Sequence, residues 1–350
     1  MLQFSFPSIA FTSEISDLKF RLDSQASTLD FQLSCGAEIL HSQRYYAIQN
    51  YVTVRDIRSI LEQYLRNNLT SMATFTIQAE GKTYQFTVVY CEAYWCADPA
   101  KTFLPENFLT TARTKRLPAS GYDRLSFIAD SSDSSYSILC SFTTSDSPSQ
   151  LSYTRTVPFS SAISEPSLIY LDIDIAEILD DIQSHNDSPV TLSSVTVRAG
   201  NRSMTYYIEG ATPTDRFFFR NLFNVLEVAQ FSCVTTDKTS VSRSVATCNG
   251  SATFYDQSIA KTYEVETAPL LRAEALWLEQ LLTSRNASHA PEGCAYSAPI
   301  LITAITSEIS NSDTNLTTLK FTYRYESSRP AVALPEETNI FTDPFTIPFT

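Results

Sequence analysis

The chain has 350 residues, 43% hydrophobic and 12% aromatic, which is enough for two or three cores and excludes disorder throughout. A formal net charge of −13 and a pI near 4.7 exclude a general binder of nucleic acid or anionic membrane, because phosphate contacts require clustered Lys and Arg. With 7 Gly against 22 Phe and 18 Tyr, a glycine-rich phosphate cradle has no raw material, and twisted strands with Ser/Asp/Asn loops are favoured.

The opening MLQFSFPSIAFTSEIS carries Pro7 and Glu14 where a signal peptide would have a continuous apolar stretch, so none is expected. No apolar run of about 18 residues occurs anywhere, so no membrane span is expected. The alternating segments LKFRLD, TLDFQLSC and RYYAIQN read as strands. Ile57, Ile60, Leu61, Tyr64 and Leu65 then fall at helical spacing, with Arg58, Glu62 and Arg66 opposite. A hairpin follows, TFTIQAEGKTYQFTVVY, turning at Glu80-Gly81-Lys82. The connector DPAKTFLPENFL comes next, and the basic run Arg113, Lys115, Arg116 reads as a solvated loop.

The same order then recurs. RLSFIAD, SYSILCSF, YTRTVPF and LIYLDID are strand-like, and Asp174 with Glu177 opens a helix carrying Ile175, Ile178, Leu179 and Ile182. A hairpin turns at Gly200-Asn201, and TPTDRFFFRNLF aligns on the first connector without a gap, placing Phe217 on Phe103 and Asn221 on Asn107. In the third copy AQFSCVTT, SVATC, ATFYD and KTYEVET precede a helix with Leu271, Ala275, Leu278 and Leu282 on one face, flanked by Leu270, Trp277 and Leu281, with Pro269 in its first turn. The closing hairpin pairs APILITAITSEIS with LTTLKFTYRYES, and RPAVALPEETNIF is a looser third connector.

The pattern predicts a β-rich α+β protein of three tandem sandwich- or barrel-like modules, each with one flanking helix and a closing hairpin: residues 1–118, 119–224 and 225–328, then an extended Pro/aromatic arm over 329–350. Each helix must dock on its own strands, since burying an aliphatic side chain contributes about 1.5–3 kcal/mol and an isolated helix of this length is marginal. The expected inter-module or subunit contacts are Phe103, Phe217, Phe218, Phe219 and Arg220 in the connectors, with Phe341, Phe345 and Phe349 in the arm. Such an arm suits strand addition at a neighbour's sheet edge.

Catalytic signals are missing from the pattern. His41, His185 and His289 are the 3 histidines and none sits in a metal or triad spacing; His41 follows a strand, His185 ends a helix and His289 falls in a loop. Asp172, Asp174, Asp180 and Asp181 resemble an acid cluster, but Asp174 serves as a cap and Asp180 and Asp181 fall on the polar helix side. The 7 scattered cysteines do not form a disulfide framework, and Cys91 with Cys96 is a weak zinc spacing. No enzyme, cofactor or metal site is expected.

The runs FLPENFLTTARTKR, NLFNVLEVAQFSC, YEVETAPLLRAEALWLEQLLTS and ITSEISNSDTNLTTLKFTYRYESSRP resemble tail and baseplate structural proteins of phages and prophages of gut Bacteroides-type bacteria, over most of the chain. The resemblance implies a virion tail component, made in the bacterial host cytoplasm, that assembles as a homo-oligomeric ring or tube with other tail proteins. It carries no catalytic residues. An acidic protein of this kind suits a DNA passage that does not hold its cargo. The alternative from the residues is a carbohydrate- or cell-surface-binding β-sandwich protein, using Tyr94, Trp95 and Trp277, although Trp277 fits the apolar face of its helix and reads as core.

Overall fold

The computed structural model describes residues 8–22, 27–93, 99–210, 214–290, 297–306, 308–310 and 316–327. It is mostly strand with several sheets and, among the described residues, four α-helices, so the β-rich α+β class expected from the pattern is what forms.

The first unit contains β1 (Ile9–Phe11), β2 (Leu18–Arg21), β3 (Thr28–Cys35), β4 (Glu38–Tyr46), β5 (Tyr51–Val54), α1 (Ile57–Asn67), β6 (Met72–Ala79) and β7 (Lys82–Val89). Its sheet runs β1-β7-β6-β3-β4, and β2 pairs separately with β5. Alternation decides the faces: Leu29, Phe31 and Leu33 of β3 point to the core, as do Phe75 and Ile77 of β6. Helix α1 buries Ile57, Leu61 and Leu65 in that core and pairs Arg58 with Glu62 at 2.7 Å on its outer side. The β6–β7 turn needs two residues in the left-handed region, which Glu80 (φ 52°) and Gly81 (φ 70°) supply.

A short helix α2 (Ala100–Glu106) leads to the second unit: β8 (Thr114–Pro118), β9 (Tyr122–Ala129), β10 (Ser135–Thr144), β11 (Ser147–Pro158), β12 (Ser167–Asp174), α3 (Ile175–Ser184), β13 (Val190–Ala199) and β14 (Arg202–Glu209). Its sheet runs β11-β10-β13-β14-β8 with β12 paired to β9, which repeats the first unit strand for strand. In both units the first strand joins the last in parallel, β1 on β7 and β8 on β14, and the remaining pairings are antiparallel. Asp174 caps α3, its carboxylate accepting from the backbone N–H of Ala176 at 2.9 Å.

The third unit closes into a barrel, β15-β16-β17-β20-β19-β18, from β15 (Thr214–Arg220), β16 (Leu226–Cys248), β17 (Ser251–Thr267), β18 (Ala287–Ala290), β19 (Ala298–Ile305) and β20 (Lys320–Tyr325), with α4 (Arg272–Thr283) packed on it. Closure removes exposed edges. Glu274 reaches back to the N–H of Leu271 at 2.9 Å, setting the start of α4 beyond Pro269. Leu271 is consequently exposed, and Leu270 takes its place in the core.

Pairing assigns β8 and β15 to the sheets that follow them, so the expected cuts after residues 118 and 224 each pass one strand too late. The two gapless connectors also differ in conformation: 100–106 is helical, whereas 214–220 is a barrel strand. Pro99 starts a helix in the first; in the second the run Phe217-Phe218-Phe219 alternates, with Phe217 and Phe219 in the barrel core and Phe218 facing outward. The four strand-like segments before α4 are two continuous strands, joined at Asn249 (φ 50°) and Gly250 (φ 78°).

Phe217 stacks on Phe231 at 5.5 Å and meets Phe321 at 5.7 Å and Tyr323 at 5.8 Å. Phe217→Ala is expected to lower the unfolding free energy by about 3–5 kcal/mol. Phe218→Ala on the same strand is expected to cost about 1 kcal/mol. Urea unfolding of the two variants checks the difference.

Candidate assembly surfaces

The three units meet around the turn Asn221–Val225, between β15 and β16. Asn224 sits in the left-handed region (φ 56°) and donates through its side chain to the carbonyls of Leu65 at 3.0 Å and Thr70 at 2.8 Å, gripping the exit of α1. Phe223 packs beside Phe103 at 5.5 Å and Phe11 at 5.9 Å, in an apolar cluster with Ile128 of β9. Phe103 therefore bridges elements of different units. Arg220 donates to the Asn224 carbonyl at 2.7 Å and is half-buried; that burial pulls its pKa below the ordinary arginine value, although Tyr170 acts the other way. Phe217 and Phe219 lie inside the barrel, and Phe341, Phe345 and Phe349 fall outside the described residues.

Behind this turn lies a buried charge cluster. Lys115 of β8 contacts Asp123 of β9 at 2.9 Å and Glu227 of β16 at 3.0 Å, all three side chains being 3% exposed or less. Glu227 also accepts from Thr110 Oγ1 at 2.6 Å, Asn221 Nδ2 at 2.6 Å and Trp277 Nε1 at 2.7 Å. Tyr206 donates to Asp123 at 2.8 Å, and the Lys115 ammonium stands 4.6 Å from the Trp277 ring centroid. Burial alone would discharge Lys115, but the two carboxylates outweigh it and hold its pKa above the ordinary lysine value. Burial, joined by the negative charge of Glu227, raises the Asp123 pKa above the ordinary aspartate value against the opposing pull of Lys115 and Tyr206.

Within the basic run 113–116, Arg113 lies in an exposed bend as expected, but Lys115 and Arg116 do not. Strand β8 turns Lys115 inward, while Arg116 bridges Glu274 of α4 at 2.5 Å and Glu209 of β14 at 3.0 Å. The alternation of β8 is the sequence signal for an inward Lys115, and its partners lie 8 and 112 residues along the chain, where no local pattern links them to it. Trp277 is buried with its N–H spent on Glu227, so it offers no platform to a glycan; Tyr94 and Trp95 lie outside the described residues.

His289 is not in a loop. It sits buried in β18, its Nδ1 2.8 Å from Tyr325 Oη and its Nε2 3.1 Å from Asp215, which also accepts from Thr235 and Cys233. The chain Asp215–His289–Tyr325 has the connectivity of a relay, yet burial pushes the Tyr325 phenol up and the Cys233 thiol up to about 12, the reverse of nucleophile activation. It locks β15, β18 and β20 of the barrel together. His41 lies within β4, 2.8 Å from Tyr45 Oη, and His185 caps the end of α3. Asp172 is engaged by Arg124 at 2.6 Å and Asp181 accepts from Tyr153 at 3.0 Å. Among the described residues no group of three His, Cys, Asp or Glu is placed to hold a metal, and no helix is long and apolar enough to cross a membrane.

The most exposed element is the distal part of β16 and β17. From Thr235 to Lys261 nearly every residue is exposed, and pairing with β20 ends at Tyr263–Tyr323. Beyond that point the two strands pair only with each other, to Cys248–Ser251. Compared with known proteins, the chain matches no family model, and no curated sequence is significantly similar to it.

Lys115→Met leaves two buried carboxylates without their cation and is expected to cost about 3–5 kcal/mol in denaturant unfolding. Asp123 gives a distinct pH signature. Its folded pKa lies above the ordinary 3.8, so as pH falls the folded state takes up this proton before the unfolded chain does. That group therefore adds stability as pH falls through its folded value, the gain being complete below the ordinary one. Asp123→Asn is expected to remove this acid-side gain, read as a flatter dependence of urea midpoint on pH.

Proposed function

We propose that the protein is a non-catalytic structural component of a phage tail or baseplate, which assembles through its strand-rich units into an oligomeric ring or tube. The observation that carries the assembly part is the β16–β17 ribbon, which leaves the barrel and exposes Val241, Val245, Phe254 and Ile259 without cover among the described residues. Two-stranded ribbons are marginal alone in water, so one of this length belongs with a further surface.

Other features support a load-bearing role. The units are joined through a buried ion pair and side-chain-to-backbone bonds: Lys115 of the second pairs with Glu227 of the third at 3.0 Å, and Asn224 of the third donates to the carbonyls of Leu65 and Thr70 of the first at 3.0 and 2.8 Å. Such contacts fix the relative orientation of neighbouring elements rather than permit hinging. The tail assignment itself rests on the sequence resemblance. The net charge of −13 suits a wall past which DNA slides, since it offers phosphates no counterions.

In virions carrying this protein, gold-labelled antibody against the chain is expected to mark the tail, and negative-stain images of the purified protein are expected to show rings or short tubes. A chain found only as a monomer, with unlabelled tails, removes the reading.

A further inference from the structure

We infer that one face of the β16–β17 ribbon is the surface by which a copy of this chain grips the body of a second copy. This deepens the assembly reading above and rests on it.

The register sorts the ribbon into two unlike faces. On one lie the cross-strand pairs Val241–Ile259, Arg243–Gln257 and Val245–Phe254; on the other lie Ser240–Ala260, Ser242–Ser258 and Ser244–Asp256. The first face is apolar and open, with Val241, Val245, Phe254 and Ile259 exposed by 43%, 56%, 60% and 55%. The second is small and polar. Free strand from Lys238 to Cys248 reaches roughly 35 Å from the barrel at the usual strand rise. A face so patterned, with side chains matched across the strands, has the composition of an interface core with a single Arg at its centre.

Charge indicates what covers it. Residues 237–262 hold 3 Lys or Arg against 2 carboxylates, whereas the rest of the chain holds 22 against 36. Within the ribbon Lys261 is paired with Asp237, and Lys238 with Glu264 at its root. Arg243 has no carboxylate among the described residues; it bonds to Gln257 at 3.0 Å and lies 5.0 Å from the Phe254 ring centroid, in the middle of the apolar face. An apolar surface bearing carboxylates complements this face, and the body of this same chain is such a surface. Its longest stretch without Lys or Arg, 156–197, exposes Glu165, Glu177, Asp180 and Asp187 beside the already bonded Asp172, Asp174 and Asp181, and includes exposed Tyr170.

The same charge argues against two ribbons meeting face to face, which would set Arg243 near its own counterpart. Ribbon on body is a head-to-tail contact, and repeated contacts of that kind close into a ring or run into a tube.

Sedimentation of the full chain tests this at several concentrations. Wild type is expected to associate. Phe254→Ser with Ile259→Ser, and separately Arg243→Glu, are expected to raise the dissociation constant at least about tenfold. Ser242→Glu with Ser258→Glu, on the opposite face, is expected to change it less than about twofold. Unchanged barrel melting temperatures show that the variants fold. Association weakened equally by both faces, or by neither, overturns the inference while leaving assembly intact. A wild-type chain that stays monomeric yet marks virion tails overturns the second copy as partner and leaves the tail reading standing.

Discussion

Glu227 is the carboxylate on which the joining of units depends. Buried carboxylates are costly unless their lone pairs are filled, and this one receives Lys115, Thr110, Asn221 and Trp277. Those donors come from β8, the segment after α2, the β15–β16 turn and α4, so the site is satisfied only when all four are in place. Apolar burial drives the units together without specifying angle or register; the hub does, because a small rotation would strand a charge in the interior. Neighbouring bonds extend this constraint: Asn221 also holds the Leu109 carbonyl at 2.7 Å, and Gln230 accepts from the Tyr122 N–H at 3.1 Å.

Within that frame the third unit departs from the first two in an informative way. In those, the hairpins β3–β4 and β10–β11 are held in their sheets because β6 and β13 pair with β3 and β10. In the third, β20 pairs with β17 only from Tyr263 to Glu266, and β19 and β18 carry the sheet round to β15. Closing the barrel uses the strands that would otherwise flank the hairpin. The distal hairpin is left as a ribbon, and its apolar pairs, which would face a core in the other units, face solvent.

Strand and helix positions were legible because period two and period 3.6 survive in short windows. Ile57, Leu61 and Leu65 spelled out α1, and Gly81 and Gly200 marked two-residue turns between alternating runs. What escaped was set by distant partners. Phe217 and Phe219 looked like linker aromatics because the strands that bury them, β16 and β20, are joined only by folding. Lys115 looked solvated because a lysine takes its burial from carboxylates elsewhere in the chain. The ribbon reads in sequence as four strand-like pieces because Ser-rich stretches interrupt the apolar alternation, although Ser240, Ser242 and Ser244 are its polar face, and Asn249-Gly250 carries the hairpin signal. The matched connectors show that a shared string does not fix a conformation when its neighbours differ.

The remaining edges bear on how such a molecule avoids promiscuous association. Edge strand β4 is crossed by the exposed pair Arg44–Asp30 at 2.6 Å, and edge strand β11 carries Pro148, Arg155 and Pro158. Charges and prolines on edges discourage strand addition there. An acidic body repels its own copies at long range, with a reach near one Debye length, about 8 Å at physiological salt. Against that background a nearly neutral ribbon projecting well beyond the reach of the repulsion can make contact first. Attraction is thus confined to one element and repulsion spread over the rest, an arrangement that favours a single geometry of association over many.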